Sequence, residues 1–168
     1  MIRKACLEDL KKIMEILKET IVEMHSYGNY QWDKNYPKEK DFMKDIESGD
    51  LFVAEKDSIL LGFICINKTE PIEYNELNWS LNEETVVVHR MAVNPSYRRS
   101  GVGTELMTFA DSLALKKNIK YLKTDTYSMN KKMNSLFVKC GYKLIGEMSF
   151  LGKEKPFYCY DKVLNKAK

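Results

Sequence analysis

The chain has 168 residues, 44% of them hydrophobic and 30% charged, with a formal net charge of +3. A chain of that length buries a core without disulfides or a structural metal, so residues 1–168 are expected to form a single domain. The small charge excess and the scattered lysines argue against a nucleic-acid surface, and no apolar run approaches the roughly 20 residues of a membrane span. Met1-Ile2-Arg3-Lys4 runs straight into polar sequence without a visible signal peptide, which makes a cytoplasmic protein the expectation. Cys6, Cys65, Cys140 and Cys159 are far apart and only His25 and His89 accompany them, a pattern of reduced core thiols and no metal centre.

In chain order, Ile2 to Ala5 reads as a short strand, and Leu10, Ile13, Leu17, Ile21 and Met24 recur at helical steps from Leu7 to Ser26. An aperiodic aromatic stretch follows, Tyr27 to Pro37, and then a helix from Lys38 to Ser48 that stops at Gly49. Leu51 to Glu55 and Leu60 to Asn67 form a predicted hairpin. A polar connection carrying Tyr74, Leu77 and Trp79 leads to the β-branched strand Glu84 to Val93. Val102 to Lys117 is a helix, Tyr121 to Thr126 a strand, and Asn130 to Cys140 a helix closed by Gly141. Tyr142 to Met148 and Phe157 to Val163 complete an antiparallel pair, and Lys162, Lys166 and Lys168 are expected in a solvated tail. The order β-α-α-β-β-β-α-β-α-β-β implies an α/β (α+β) fold, a mixed sheet of about seven strands flanked by helices.

The segment with chemical content is Met91-Ala92-Val93-Asn94-Pro95-Ser96-Tyr97-Arg98-Arg99-Ser100-Gly101-Val102-Gly103-Thr104. A strand ends at a proline, two arginines follow, and a helix opens at two glycines. The first N–H groups of a helix are unpaired and carry the positive end of its dipole, so an anion is favoured there. Thr104 and Glu105 stand where a Walker loop has Lys and Ser or Thr, and Leu106 stands at the third glycine of a dinucleotide fingerprint. Two readings remain on spacing alone: a different diphosphate site, or a structural glycine turn with two solvated arginines.

Arg98-x-x-Gly101-x-Gly103 resembles the signature of the GNAT N-acetyltransferase superfamily, and Asn130 to Tyr142 resembles its second motif. The resemblance covers nearly the whole chain and implies a mostly antiparallel central sheet with acetyl-coenzyme A as co-substrate. By that resemblance Met91, Ala92 and Val93 run beside the pantetheine arm, and the segment Arg98, Arg99, Ser100, Gly101, Val102, Gly103 and Thr104 takes the pyrophosphate. Asn130 and Phe137 line the channel. Asn130 doubles as a helix cap.

An amine acceptor with a pKa of about 10.4 must lose a proton before it attacks a thioester, so a base is needed. His89 is the better candidate, with Glu73, Glu76 and Glu84 as further possibilities: regular alternation puts Val87, His89, Met91 and Val93 on one face. Phe137 occupies a position where relatives often carry a tyrosine acid, and the substitutes are Tyr127, just past the preceding strand, or a water molecule. Tyr27, Trp32, Tyr36 and Trp79 are expected to wall the pocket of a small-molecule or peptide amine, with Asp33 near the cation. The competing reading is a non-catalytic acyl-CoA-binding module. Relatives commonly dimerise, and the Tyr142–Val163 hairpin is the expected homodimer contact.

Overall fold

The computed structural model describes residues 1–165. Lys166 and Lys168 of the expected tail lie outside them. The elements follow the order read from the sequence: β1 Ile2–Lys4, α1 Leu10–Ser26, α2 Glu39–Glu47, β2 Leu51–Lys56, β3 Ile59–Asn67, β4 Val86–Val93, α3 Val102–Lys116, β5 Tyr121–Tyr127, α4 Lys131–Lys139, β6 Lys143–Met148 and β7 Phe157–Val163. Short 3₁₀ turns at Leu7–Asp9, Ile72–Glu76 and Pro95–Tyr97 precede α1, β4 and α3. Gly49 and Gly141 follow α2 and α4 with φ of 73° and 90°, the left-handed geometry that ends a helix cheaply at glycine.

One seven-stranded sheet carries the fold, in the order β1-β2-β3-β4-β5-β7-β6. Every neighbouring pair is antiparallel except β4 and β5, which α3 connects as a parallel crossover. One face packs on α3 and α4 through Ile64, Val86, Val88, Met91, Leu106, Ala110, Leu122 and Phe137. The other packs on α1 and α2 through Ile13, Leu17, Phe42, Val53, Phe63 and Ala92. A third cluster, Tyr74, Val87, Tyr127, Met148 and Phe157, lies beneath the turn at Ile72–Glu76. Lys162 is not in a solvated tail: it sits on β7, and its Nζ donates to Asp111 Oδ2 of α3 at 2.6 Å.

The centre of the sheet departs from a regular ladder. Between Val88 and Met91 the register of β4 against β3 shifts, because Ile66 faces Val88 while Ile64 faces Met91. This bulge re-aims the side chains around it. Val87 joins the cluster under the turn, whereas Met91 points to the α3 face, so the single face expected for Val87, His89, Met91 and Val93 does not exist. Gly62 of β3 pairs with Val93 at the far end of β4, where a Cβ would stand 2.7 Å from the Ala92 carbonyl oxygen. Gly62→Ala is therefore expected to cost about 1–3 kcal/mol by forcing β3 and β4 apart. Urea unfolding measures it, and an unchanged midpoint would refute that close approach as a constraint.

Candidate active site

The parallel ladder is short. Val86 pairs with Leu122, Val87 with Lys123 and Val88 with Thr124, and there it ends, although both strands continue. The Thr124 hydroxyl donates to the Val88 carbonyl at 3.0 Å and closes the vertex of the fork. Gln31, from the α1–α2 loop, fills the β5 side. Its Oε1 accepts from Thr126 Oγ1 at 2.9 Å, from Asn130 Nδ2 at 2.8 Å and from the Tyr127 amide at 3.4 Å. Beyond Val88, among the described residues, no strand pairs with the β5-facing edge of β4.

A cavity of about 410 Å³ opens in this fork, walled by Trp32, Tyr36, Ile72, Glu73, His89, Arg90, Asp125, Phe137, Phe150, Leu151 and Phe157 among others. A narrower cleft of about 70 Å³ runs from it along Met91, Ala92 and Val93 toward Arg98 and Lys132. The two share Met24, Met91, Asn130 and Met133, so they form one continuous groove.

Beside the cleft stands the first turn of α3, where a Cβ on Gly103 would lie 3.7 Å from Val93 Cγ2. Arg99 and Gly101 have φ of 62° and 84°, which turns the chain abruptly into the helix. The first helical amide to reach a carbonyl in the chain is that of Glu105, 3.0 Å from Gly101 O. The N–H groups of Val102, Gly103 and Thr104 are left to face outward. The two glycines serve different ends. Gly101 has open space around it, whereas a Cβ on Gly103 would meet a Leu136 methyl at 3.2 Å, so Gly103 lets α4 close on α3. Arg98 is turned away to Glu23 of α1, at 2.7 Å, and Lys132 meets the same carboxylate at 2.9 Å. Burial opposes ionisation of Glu23, but the two cations outweigh it and hold its pKa below the ordinary value. Arg99 remains as the exposed cation beside the turn. Ser100 is bound to its own loop, donating to Tyr97 O at 2.5 Å.

Asn130 caps α4, its Oδ1 accepting from the Met133 amide at 3.1 Å, and it also lines both parts of the groove. Phe137 is buried, packs on Tyr160 and Tyr142, and reaches the cavity wall. Trp32 and Tyr36 line the cavity as expected from the sequence. Tyr27 instead borders the narrow cleft, under Lys132. Trp79 is outside the cavity wall: its indole N–H donates to Tyr74 O at 2.8 Å, and its ring carries the Lys123 ammonium at 4.4 Å. Tyr127 is outside it too, buried against Phe157, its hydroxyl oxygen accepting the Lys155 amide at 3.2 Å. The Tyr127 ring is covered because β7 lies beside β5 and brings Phe157 against it, whereas the Trp79 ring packs on Tyr74. Asp33 is already paired with Lys153 of the β6–β7 loop at 2.7 Å.

His89 does reach the cavity. Its Nε2 lies 2.7 Å from Asn67 Oδ1, which also accepts the Thr69 amide at 2.9 Å. That oxygen can only accept, so the Nε2 carries the hydrogen. Burial, aided by the neighbouring Arg90 charge, pushes the imidazole down to about 4. Two groups at the site were not singled out from the sequence. Arg90 grips Asp45 of α2 through two bonds of 2.7 Å and donates to Tyr36 Oη at 2.8 Å, which fastens the aromatic loop to the bulge. Asp125, on β5 one step past the vertex, accepts from Tyr74 Oη at 2.5 Å and is pushed by burial up to about 6. A charged residue inside a central strand was the visible signal for each.

Residues 10–142 match the profile of the acetyltransferase (GNAT) family. The chain belongs to that family. It is 28% identical over 120 residues to the streptothricin acetyltransferase of Escherichia coli, covering 71% of this chain and 64% of that one. It is 24% identical over 146 residues to the N-acetyltransferase YesJ of Bacillus subtilis, covering 84% and 81%. A Xenopus tropicalis relative, N-acetyltransferase 14 by name, is 41% identical over 71 residues, but the match spans only 34% of its length. Among solved structures, a GNAT acetyltransferase of Streptococcus agalactiae superposes with a TM-score of 0.85 at 23% identity, covering 99% of this chain and 96% of that one. The yncA protein of Salmonella typhimurium, solved with its cofactor acetyl-CoA, superposes with a TM-score of 0.72 at 15% identity, covering 99% and 95%. The GNAT fold of these proteins is the seven-stranded, helix-flanked sheet described above.

The Arg90–Asp45 pair yields a test of how the cavity wall is held. Asp45→Asn leaves a mostly buried guanidinium without its anion and is expected to cost about 3–5 kcal/mol, whereas replacing both partners by apolar residues recovers much of that. Guanidinium unfolding of the single and double variants measures the difference. A cost below about 1 kcal/mol for the single change would mark the pair as a surface contact instead.

Proposed function

We propose that the protein is an acetyl-CoA-dependent N-acetyltransferase that moves the acetyl group to a primary amine of a small molecule, by direct attack in a ternary complex. One observation carries this reading: the open edge of β4 borders both the fork cavity and the cleft, and the first turn of α3 packs through Gly103 beside Val93 and Leu136 of that cleft.

The residues fit the coenzyme. The Val102, Gly103 and Thr104 amides, with the α3 dipole and the exposed Arg99, suit a diphosphate. The unpaired edge of β4 from Met91 to Val93 offers backbone hydrogen bonds to the amides of a pantetheine arm, as an added strand would use them. Met133, Asn130 and Phe137 then surround the arm's inner end. When bound, acetyl-CoA supplies an acyl thioester that an uncharged amine attacks, with a thiol as leaving group. Backbone N–H groups at the fork are the donors available to the developing oxyanion. Phe137 has no proton to give and Tyr127 lies outside the cavity, so neither serves as the acid. The acceptor occupies the larger cavity, whose roof is held down by the Lys153–Asp33 pair. A space of about 410 Å³ with Phe150, Phe157, Trp32 and Ile72 in its wall suits a small amine with an apolar body.

Acetyl-CoA at about 100 times its dissociation constant stabilises the fold by about 2.7 kcal/mol, a rise in Tm of roughly 5–10 °C for a domain of this size. Thr104→Glu is expected to abolish that rise while leaving the unliganded Tm equal or slightly higher, because a carboxylate in the first turn favours the helix and repels a diphosphate. Amine-dependent release of free CoA then measures transfer. A normal rise in the variant moves the coenzyme elsewhere, and binding without release from any primary amine leaves an acyl-CoA-binding module.

A further inference from the structure

On the reading that this groove transfers acetyl groups to amines, we propose that Asp125, held by Tyr74, seats the acceptor's ammonium group and takes its proton. Because the β4–β5 ladder ends at Thr124, the next residue of β5 stands in the cavity wall instead of under a neighbouring strand. Asp125 Oδ2 accepts from Tyr74 Oη at 2.5 Å, and among the described residues Oδ1 has no partner. Tyr74 is 1% exposed and wedged against Trp79, 4.8 Å between ring centroids, so the carboxylate is held from behind with one oxygen left for a ligand.

The charged neighbours are accounted for on every side. Glu73 and Tyr74 face Asp125 from the turn before β4, His89 and Arg90 from β4, Cys159 from its paired position on β7, and Lys123 and Tyr127 from β5 itself. Arg90 is committed to Asp45 and Lys123 to Glu70. Burial pushes the Cys159 thiol up to about 12, so it stays neutral. No cation bonds to Asp125 among the described residues, and Glu73 adds a second negative charge at the same wall. A cationic acceptor supplies what this wall lacks.

Burial pushes the Asp125 carboxyl up to about 6, the Tyr74 hydroxyl opposes that rise, and Glu73 assists it. The carboxyl is thus ionised near neutrality and a stronger base than an ordinary aspartate, and than His89 at about 4. Transfer from an ammonium with an ordinary pKa of about 10.4 is uphill, and less so once the ammonium loses water in an apolar cavity. The ammonium gives one proton to Asp125. Its lone pair forms the new C–N bond as the C–S bond breaks and sulfur keeps the electron pair. The nitrogen then loses its second proton and sulfur gains one. The sum is an amide, a thiol and one proton passed from Asp125 to water.

Two readouts test this, with n-butylamine as probe. Carboxyl ¹³C NMR of aspartate-labelled protein without ligands is expected to contain one resonance titrating near 6, absent from Asp125→Asn and displaced by n-butylammonium. The pH profile of kcat/KM for CoA release is expected to fall below that same pKa. Asp125→Asn lowers it by about 100-fold or more and removes the acid limb. Tyr74→Phe removes a stabiliser of the carboxylate and moves the limb to higher pH; Glu73→Gln removes a repelling charge and moves it lower; His89→Gln keeps it. A resonance at the ordinary value of about 3.9, or one indifferent to n-butylammonium, overturns the proposal even where turnover is too slow to follow. An acid limb that survives in Asp125→Asn and vanishes in His89→Gln overturns it in favour of the histidine. If wild type gives no thermal shift with acetyl-CoA, the acetyl-transfer reading fails instead, whatever the NMR titration gives.

Discussion

A parallel pair of strands in the middle of a sheet is normally a buried, fully bonded ladder, and here it parts after Val88 and Thr124. Parting leaves backbone groups of both strands without their natural partners, a cost that folded proteins meet in some other way. On the β5 side the chain meets it internally. Thr124 takes the Val88 carbonyl, and one amide oxygen of Gln31 serves Thr126, Tyr127 and Asn130. Beyond Val88, among the described residues, no strand pairs with that edge of β4, which borders the cleft along Met91, Ala92 and Val93. The cavity, the groove and the need for an outside partner all follow from that one interruption.

The bulge in β4 belongs to the same arrangement. It turns Arg90 toward α2, where the bidentate bond to Asp45 and the bond to Tyr36 tie the aromatic loop to the strand. That loop carries Trp32 and Gln31, so one wall of the cavity and the plug of the fork are fixed through one guanidinium. The opposite wall comes from the β6–β7 loop, tied to the same stretch by Lys153 and Asp33. The cavity is thus built by segments remote in sequence that meet only around the fork.

Much of this was legible before any coordinates. Apolar positions at helical spacing marked α1 and α3, and Gly49 and Gly141 marked helix ends, because these signals are local. The turn proposed to take an anion was legible for the same reason: strand, arginines, glycines and helix are contiguous. What alternation could not reveal was the bulge, since Val-Val-Val-His-Arg-Met-Ala-Val has no polar rhythm to betray a slipped register. Trp79 and Tyr127 were misread for a different reason. An aromatic that lines a cavity and one that floors a core have the same chemistry, and which is which depends on what the fold packs against it, Phe157 of β7 on Tyr127 and Tyr74 on Trp79. The clue that was present lay in β5, where Lys123 and Asp125 occupy alternate positions of a strand otherwise built for burial. Ions there need a partner or a task. Lys123 has Glu70 and the face of Trp79, whereas Asp125 has only a neutral hydroxyl.

The groove therefore has electrical polarity as well as shape. The first turn of α3, beside the cleft, presents helix amides and Arg99; the inner end presents Asp125 and Glu73 beside a neutral His89. An anionic ligand entering from the inner end meets the wrong sign, and so does a cationic one entering from the α3 side. Between the two lies a stretch of Met24, Met91 and Met133, apolar and adaptable, where neither charge is favoured. Low-polarity walls weaken solvent screening, so the separation of sign acts over the groove's length more strongly than it would on an open surface.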